Sequence, residues 1–329
     1  MATIASPAPY AALTPPLIAD ALDSVGVRGD GRLLALNSYE NRVYQAWRDD
    51  APPVVAKFYR PARWSDAQIL EEHAFVDELA EADVPVVAPL RLVGRTLHDF
   101  EGFRFAVYPR RGGRAPELDR RGTLERLGRY IARIHTVGAS HPFAQRPMLT
   151  VEAFGHDSRA YLLEHRLVPE DLVAAWTAIV DIALTAVGRA FDRTRFDVLR
   201  VHGDCHASNV LWTDDGPHFV DFDDARTAPA IQDLWMLLSG NRTSMEEQLH
   251  EVLEGYESFR NFDRAELALI EPLRTLRLLH YSAWIARRWD DPAFPAAFPW
   301  FGSQRDWQDR ILELREQVAL MDEAPLAAP

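Results

Sequence analysis

The hydrophobic periodicity of this sequence changes once, and abruptly. Between Arg32 and Tyr108 apolar residues come in short runs with strand character. Beyond Pro109 and the stretch Arg110-Arg111-Gly112-Gly113-Arg114 they recur mainly at helical spacing. Strands gathered first and helices afterwards imply an α+β chain whose two kinds of element are segregated. The predicted architecture is a small antiparallel β lobe with one helix, a glycine-containing hinge and a large helical lobe. The boundaries are residues 1–109, of which 1–28 form a loosely ordered lead-in, and residues 110–329. A length of 329 residues suits two such units better than one core.

Within the first unit, Arg32–Leu36 and Arg42–Trp47 flank a polar turn, Asn37-Ser38-Tyr39-Glu40-Asn41, and Val54–Tyr59 makes a third strand closed by Pro61. A helix is predicted over 65–82, with Ser65 as its N-cap and Ile69, Phe75, Val76 and Leu79 on its apolar face. Thr96–Asp99 and Phe103–Tyr108 form a hairpin about Gly102. A short helix is expected near Leu17–Val25. Further helices are predicted near 118–136, 157–164, 170–191, 229–240, 245–260, 265–289 and 304–321. Val210–Trp212 and His218–Val220 interrupt them as short strands about Asp214-Asp215-Gly216.

A net charge of −13 excludes a chain that relies on basic surface to hold nucleic acid. One cysteine, Cys205, leaves no internal disulfide and fits a reducing compartment. Met1–Val27 carry no Lys or Arg, so the charged start of a secretion signal is missing, and no uninterrupted apolar run reaches the ~18 residues of a membrane span. A cytoplasmic monomer with no nucleic-acid or membrane partner is expected. Of 36 basic residues, one is lysine, Lys57, leaving 35 arginines. A composition biased so strongly to arginine kept lysine at a single position.

The chemistry is concentrated in His202-Gly203-Asp204-Cys205-His206-Ala207-Ser208-Asn209 and Val220-Asp221-Phe222-Asp223. A carboxylate, an amide five residues on and a second carboxylate twelve further are the parts that phosphoryl transfer needs. One carboxylate takes the acceptor hydroxyl's proton, and a carboxylate with a neutral amide holds magnesium against a triphosphate. The kinase signature has Asp and Asn at the same step, then a later Asp. Asp204 therefore takes the base role, and Asn209 and Asp221 the metal roles. Lys57 lies within Val-Val-Ala-Lys on the third strand, matching the kinase Val-Ala-Ile-Lys context. Glu72, on the following helix, sits where an ion-pair partner for Lys57 belongs, and its neighbour Glu71 is only weakly disfavoured by the apolar face.

These stretches, with LNSYENRVYQ (36–45) and VDFDDARTAPAIQDLWMLL (220–238), make the chain resemble the aminoglycoside-phosphotransferase branch of the protein-kinase-like superfamily. More narrowly it resembles the bacterial stress-response Ser/Thr kinases. The resemblance runs from about Leu33 to Leu238, and more loosely to the C-terminus. It implies a bilobal kinase-like fold, ATP and Mg2+ as cofactors, a protein Ser/Thr acceptor, autophosphorylation and a role in stress. It places Ser38 over the ATP phosphates, Asp204 as proton acceptor, Asn209 and Asp221 as magnesium ligands, and Asp233 as the buried brace of the catalytic loop.

The sequence also departs from ordinary protein kinases. No G-x-G-x-x-G lies between the first two strands, so the 37–41 turn must cover the phosphates. Eleven residues separate Asp221 from Asp233, too few for a long activation loop. A small hydroxyl-bearing acceptor, such as an amino alcohol, sugar or antibiotic, is the alternative, and a nucleotide-binding scaffold without turnover is a third reading. Ser38 has the competing reading of an ordinary turn serine, and Glu72 that of a solvated helix charge. His202, Cys205 and His206 invite a zinc reading but lack an evident fourth ligand. Trp284, Trp289, Trp300 and Trp307 with Phe294, Phe298 and Phe301 read as helix packing rather than as an acceptor wall. Arg110, Arg111 and Arg114 read as a solvated hinge.

Overall fold

The structure, a computed structural model, describes residues 9–328. Five strands form one antiparallel sheet in the order β1-β2-β3-β5-β4: β1 (Leu33–Ala35), β2 (Arg42–Ala46), β3 (Val54–Phe58), β4 (His98–Phe100) and β5 (Phe103–Pro109). The expected α+β architecture, with a small antiparallel sheet and many helices, is what the chain adopts.

Side chains alternate across a strand, and on β3 that alternation decides where the lone lysine goes. Ala56 and Phe58 are fully buried on the face covered by helix α1 (Pro15–Ser24), whose Ile18, Ala21 and Leu22 complete that core. Lys57, between them, is forced to the opposite face. Helix α2 (Asp66–Glu81) lies on that second face, where Ile69 packs with Tyr59 and Ala106. The Ser65 Oγ accepts from the Gln68 N–H at 3.2 Å and the Gln68 Oε1 accepts from the Ser65 N–H at 2.9 Å, a reciprocal cap. The buried face of α2 includes Glu72 and His73 beside its apolar residues.

Most of the remainder is helical. It comprises α3 (Thr123–Gly138), α4 (Asp157–Glu164), α5 (Val173–Arg193), α6 (Arg242–Glu257), α7 (Ile270–Ala286), α8 (Ala293–Ala297) and α9 (Gln304–Met321). A π-helical turn, Glu152–His156, leads into α4. Helix α3 packs on α6, and α5 on α7 and α9. By length and composition α5 is apolar enough to cross a membrane. Its Trp176, Val180, Ala183 and Val187 are buried in the core, while Asp181 on its outer side pairs with Arg159.

Four short strands hold the polar loops: β6 (Leu199–Val201), β7 (Val210–Thr213), β8 (Gly216–Phe219) and β9 (Arg226–Ala228). β6 pairs with β9, which closes residues 202–225 at their base, and β7 with β8 folds them back on themselves. The β7–β8 register sets Val210 opposite Phe219, and the Val220 N–H bonds the Asn209 carbonyl at 3.0 Å. Asn209 and Asp221 are neighbours for that reason.

Four expectations need correction. The lead-in is ordered from residue 9: Tyr10 is buried, its hydroxyl 3.2 Å from the Glu40 carbonyl, and α1 backs the sheet. Residues 1–8 of that segment lie outside the described residues. Segment 229–240 is no α-helix but two 3₁₀ turns, Ala230–Asp233 and Trp235–Leu237. Residues 225–235 are all buried, so the stretch has no solvent face to set a helical stripe. Arg264–Leu269 is likewise 3₁₀, and α7 begins only at Ile270, because Pro272 lacks an N–H and is tolerated only in a first turn. The β6–β9 pair was not anticipated, its three-residue strands being too short for periodicity to mark.

Candidate active site

Two cavities meet between the sheet and the helices. The inner one, of about 340 Å³, is walled by aliphatic side chains, among them Leu36, Val43, Val55, Val87, Leu211 and Val220, with Lys57 and Glu72 in its lining. The outer one, of about 550 Å³, contains Asp204, Arg277, His280, Tyr281, Trp284 and Phe298. Asn37, Ser38, Ser208, Asn209 and Asp221 line both. An apolar slot opening onto convergent polar groups has the form of a nucleotide site joined to an acceptor site.

Lys57 is 7% exposed, and its Nζ lies 2.9 Å from the Asp221 Oδ1 and 3.0 Å from the Asp223 Oδ1. Burial disfavours its charge, but Asp221, Asp223 and Glu72 outweigh that and hold its pKa well above the usual lysine value. The expected direct pair with Glu72 does not form. Glu72 is buried at 2% exposure, its Oε2 is 3.8 Å from Arg146 Nη1, and Lys57 is outside ion-pair distance. The physical reason is Asp223, which fills the place beside Lys57 and leaves Glu72 to Arg146. Burial pushes the Glu72 carboxyl up to about 7, with the Lys57 charge working against it. The neighbouring Glu71 is elsewhere: its carboxylate accepts the backbone N–H groups of Ala144, Gln145 and Arg146. Of the two glutamates, Glu72 is therefore the one that faces the cavity.

Asp221 is half exposed, with φ +61°, a left-handed conformation that aspartate rarely adopts. The following Phe222-Asp223-Asp224 turn is held from beneath. Arg146 donates to the Asp223 and Ala225 carbonyls, and Arg63 bridges the Asp223 and Asp224 carboxylates. Burial would raise Asp223, but Lys57 and Arg63 keep it down at about 2.

The loop carrying Asp204 is pinned by Asp233, which is fully buried. Its carboxylate accepts from the His202 N–H at 2.7 Å and the Gly203 N–H at 2.8 Å, with His135 Nε2 at 3.1 Å. The bracing role expected of Asp233 is realised in this geometry. Gly203 has φ +86°, and a Cβ there would stand 2.1 Å from the Asp224 carbonyl, so only glycine fits between the two loops. Both Asp204 oxygens are engaged, Oδ1 by Arg277 Nη1 at 2.7 Å and Oδ2 by His206 Nε2 at 3.3 Å. Burial opposes its ionisation, yet the His206 hydrogen bond and the Arg277 charge outweigh it and keep Asp204 below the ordinary carboxylate range.

Asn209 donates through Nδ2 to the Asp204 carbonyl at 3.0 Å, which leaves its amide oxygen available to a cation. The Asn209 oxygen and the Asp221 carboxylate are hard donors facing the junction of the cavities. They fit Mg2+, which takes one or two protein oxygens and completes its shell with phosphate and water. The zinc candidates diverge. His202 bonds the Val220 carbonyl at 2.9 Å, Cys205 is buried, and His206 faces Asp204.

Ser38 lines both cavities at the tip of the 37–41 turn. The base of that turn was not legible as functional. Glu40 is buried, its carboxylate 2.9 Å from Arg60 Nε, 2.6 Å from Arg288 Nε and 2.6 Å from Trp284 Nε1. Asn41 donates to Asp223 at 3.0 Å, and Tyr39 packs on Phe298 with ring centroids 5.2 Å apart. Asp291, 3% exposed, takes Arg60 at 2.6 Å and Arg42 at 2.8 Å. The segment after α7 thus reaches across to the sheet and ties down the turn. Trp284 and Phe298, read from sequence as packing only, both pack together and wall the outer cavity. Arg111 lines the inner cavity, whereas Arg114 stays exposed beside Glu117.

Residues 32–270 match the family model described as "Phosphotransferase enzyme family". The chain is 47% identical over 317 residues to stress response kinase A of Salmonella paratyphi A, covering 96% of each. It is equally similar to stress response kinase A of Escherichia coli K12, and 46% identical to the serine/threonine protein kinase RdoA of Salmonella typhimurium. Among solved structures its fold is similar to the amicoumacin kinase hAmiN in complex with AMP-PNP and Ca2+, with a TM-score of 0.72 at 19% identity over 94% of each chain. A microcompartment-associated aminopropanol kinase gives a TM-score of 0.71 at 19% identity, covering 94% of this chain and 97% of that one. With the cavities, the lysine and the pinned aspartate loop, these likenesses lead to one assignment: the chain is a kinase and belongs to the phosphotransferase enzyme family.

Proposed function

We propose that this protein transfers the γ-phosphoryl group of ATP, held with Mg2+, to a protein Ser or Thr hydroxyl, its own included, as part of a stress response. The carrying observation is the junction at which Ser38, Asn209 and Asp221 line both cavities, with Lys57 on one side and Asp204 on the other. Lys57 and Ser38 hold the phosphates, while Asn209 and Asp221 hold the metal, whose chemistry is to neutralise charge on the triphosphate. Asp204 orients the acceptor hydroxyl and takes its proton as the new P–O bond forms and ADP departs with the electrons of the old one. A cytoplasmic setting, where ATP is abundant, belongs to the same reading.

The carboxylates of the outer cavity support the choice of acceptor class. Glu40, Asp223 and Asp224 are each held by arginine, and only Asp204 and Asp221, the two working carboxylates, complete the set. No spare carboxylate waits for a cationic acceptor, as an amino alcohol or aminoglycoside would require. That favours a hydroxyl on a peptide chain. The aromatic wall of Tyr281, Trp284 and Phe298 is the feature that keeps a small acceptor as the second reading.

Transfer of labelled γ-phosphate in the presence of magnesium tests the proposal. Label on this protein or on a generic protein acceptor supports it, and Asp204→Ala should abolish transfer with ATP binding retained. Label on small molecules alone supports the second reading, and nucleotide binding without any transfer refutes both.

A further inference from the structure

The outer cavity holds one cation that the roles above leave unused. Arg277, on α7, donates through Nη1 to the Asp204 Oδ1 at 2.7 Å, and its side chain is 43% exposed. A guanidinium has five N–H donors, so this single bond leaves others to reach beyond Asp204.

The other arginines lining the outer cavity are committed, and Arg111 lines only the inner one. Lys57 is tied to Asp221 and Asp223, Arg63 to Asp223 and Asp224, and Arg226 to Asp224, with side chains only 8%, 11% and 8% exposed. The loop from Asp204 to Asn209 contains no Lys or Arg. Lys57 and the metal-holding pair lie where the nucleotide cavity meets the junction. The acceptor side of a transferring phosphoryl group therefore faces one exposed guanidinium. Leu273, Arg277, His280, Tyr281 and Trp284 recur at helical spacing along the cavity-facing side of α7, so Arg277 is presented by a rigid element.

We propose that Arg277 is a further catalytic residue: an arginine supplied in cis that contacts the transferring phosphoryl from the acceptor side while holding Asp204. It adds no chemical step. The bond to the acceptor oxygen forms, the bond to ADP breaks and the proton goes to Asp204 as before. Arg277 neutralises charge on the equatorial oxygens as that happens. The inference rests on the phosphotransferase reading above.

The test is binding of Mg–ADP–aluminium fluoride, a mimic of the planar phosphoryl, beside steady-state transfer. Arg277→Ala should lower kcat by about 10²–10³-fold, with ATP affinity changed by less than about tenfold. It should weaken the mimic by a similar factor, and added guanidinium should restore part of the rate. Arg277→Lys keeps the charge and the helix and should fall between. The decisive arm is the Asp204→Ala background, where Arg277→Ala should still weaken the mimic. No further loss there would mean Arg277 acts only through Asp204, and the inference fails while the kinase reading stands. Equal mimic binding by wild type and Arg277→Ala also overturns it. A wild type that binds the mimic no better than ADP overturns the kinase reading and the inference together.

Discussion

Replacing Lys57 by arginine leaves the net charge at −13 and should still cripple transfer. Lys57 sits on the central strand β3, paired with Val43 on one side and Ala106 on the other, so its backbone has no freedom to yield. Its ammonium occupies a point between Asp221 at 2.9 Å and Asp223 at 3.0 Å, with the Tyr59 ring 5.4 Å away. A guanidinium is longer and forked, and at this closed position it must push Asp221 aside. Overpacking of this kind costs about 1–3 kcal/mol, or several degrees in Tm. The effect on rate is larger, because a displacement of about 1 Å at a reacting group costs on the order of 10²-fold. The expected result is kcat reduced about 10²–10³-fold, with a raised KM for ATP. Steady-state transfer from labelled ATP measures it, and a thermal melt establishes that the variant is folded. Lys57→Met is the harsher companion. It strips the cation from half-exposed Asp221 and leaves Asp223 to Arg63, for about 1–3 kcal/mol of lost stability. A folded Lys57→Arg protein retaining more than about a tenth of wild-type kcat would refute the reasoning, since even a minimal displacement predicts a greater loss.

Three further outcomes follow from the same geometry. Asp233→Ala leaves two buried backbone N–H groups and His135 without their acceptor, so it should cost about 3–5 kcal/mol in denaturant unfolding and lower activity through the loosened Asp204 loop. Glu40→Ala frees Arg60, Arg288 and the Trp284 indole from their shared carboxylate, and should raise KM for ATP more than it lowers kcat, because it loosens the turn carrying Ser38. His73 is buried between the Tyr59 hydroxyl at 2.7 Å and Thr96 at 2.9 Å, and burial lowers its pKa to about 3. The unfolded chain binds a proton at this histidine below about pH 6.5 while the folded one does not, so its contribution to stability falls as pH drops from there toward 3. His73→Gln should flatten that part of the stability–pH curve, and an unchanged slope would show that His73 does not generate it.

What could be read in the sequence was local. Asp204, Asn209 and Asp221 share one looped segment, so their spacing already carries their relation, and the strand pattern around Lys57 needs only the neighbouring residues. The cap at Ser65 depends on three residues of chain. The 229–240 stretch failed as a helix because uniform burial removes the periodicity on which such a reading depends.

By itself, then, the sequence determined most of the order of strands and helices and singled out Lys57 and Asp204 as the candidates for the phosphates and the acceptor, because each is encoded within a few turns of chain. Only the tertiary structure decided who faces whom across long separations. It set Asp223 rather than Glu72 beside Lys57, gave Glu40 to Arg288 and Trp284, joined Asp291 to Arg60, and brought Arg277 to Asp204. Such pairs leave no period in a sequence. A chain with 35 arginines and 49 acidic residues offers many partners of the right charge, and only the packing of α7 and the segment after it against the sheet selects among them.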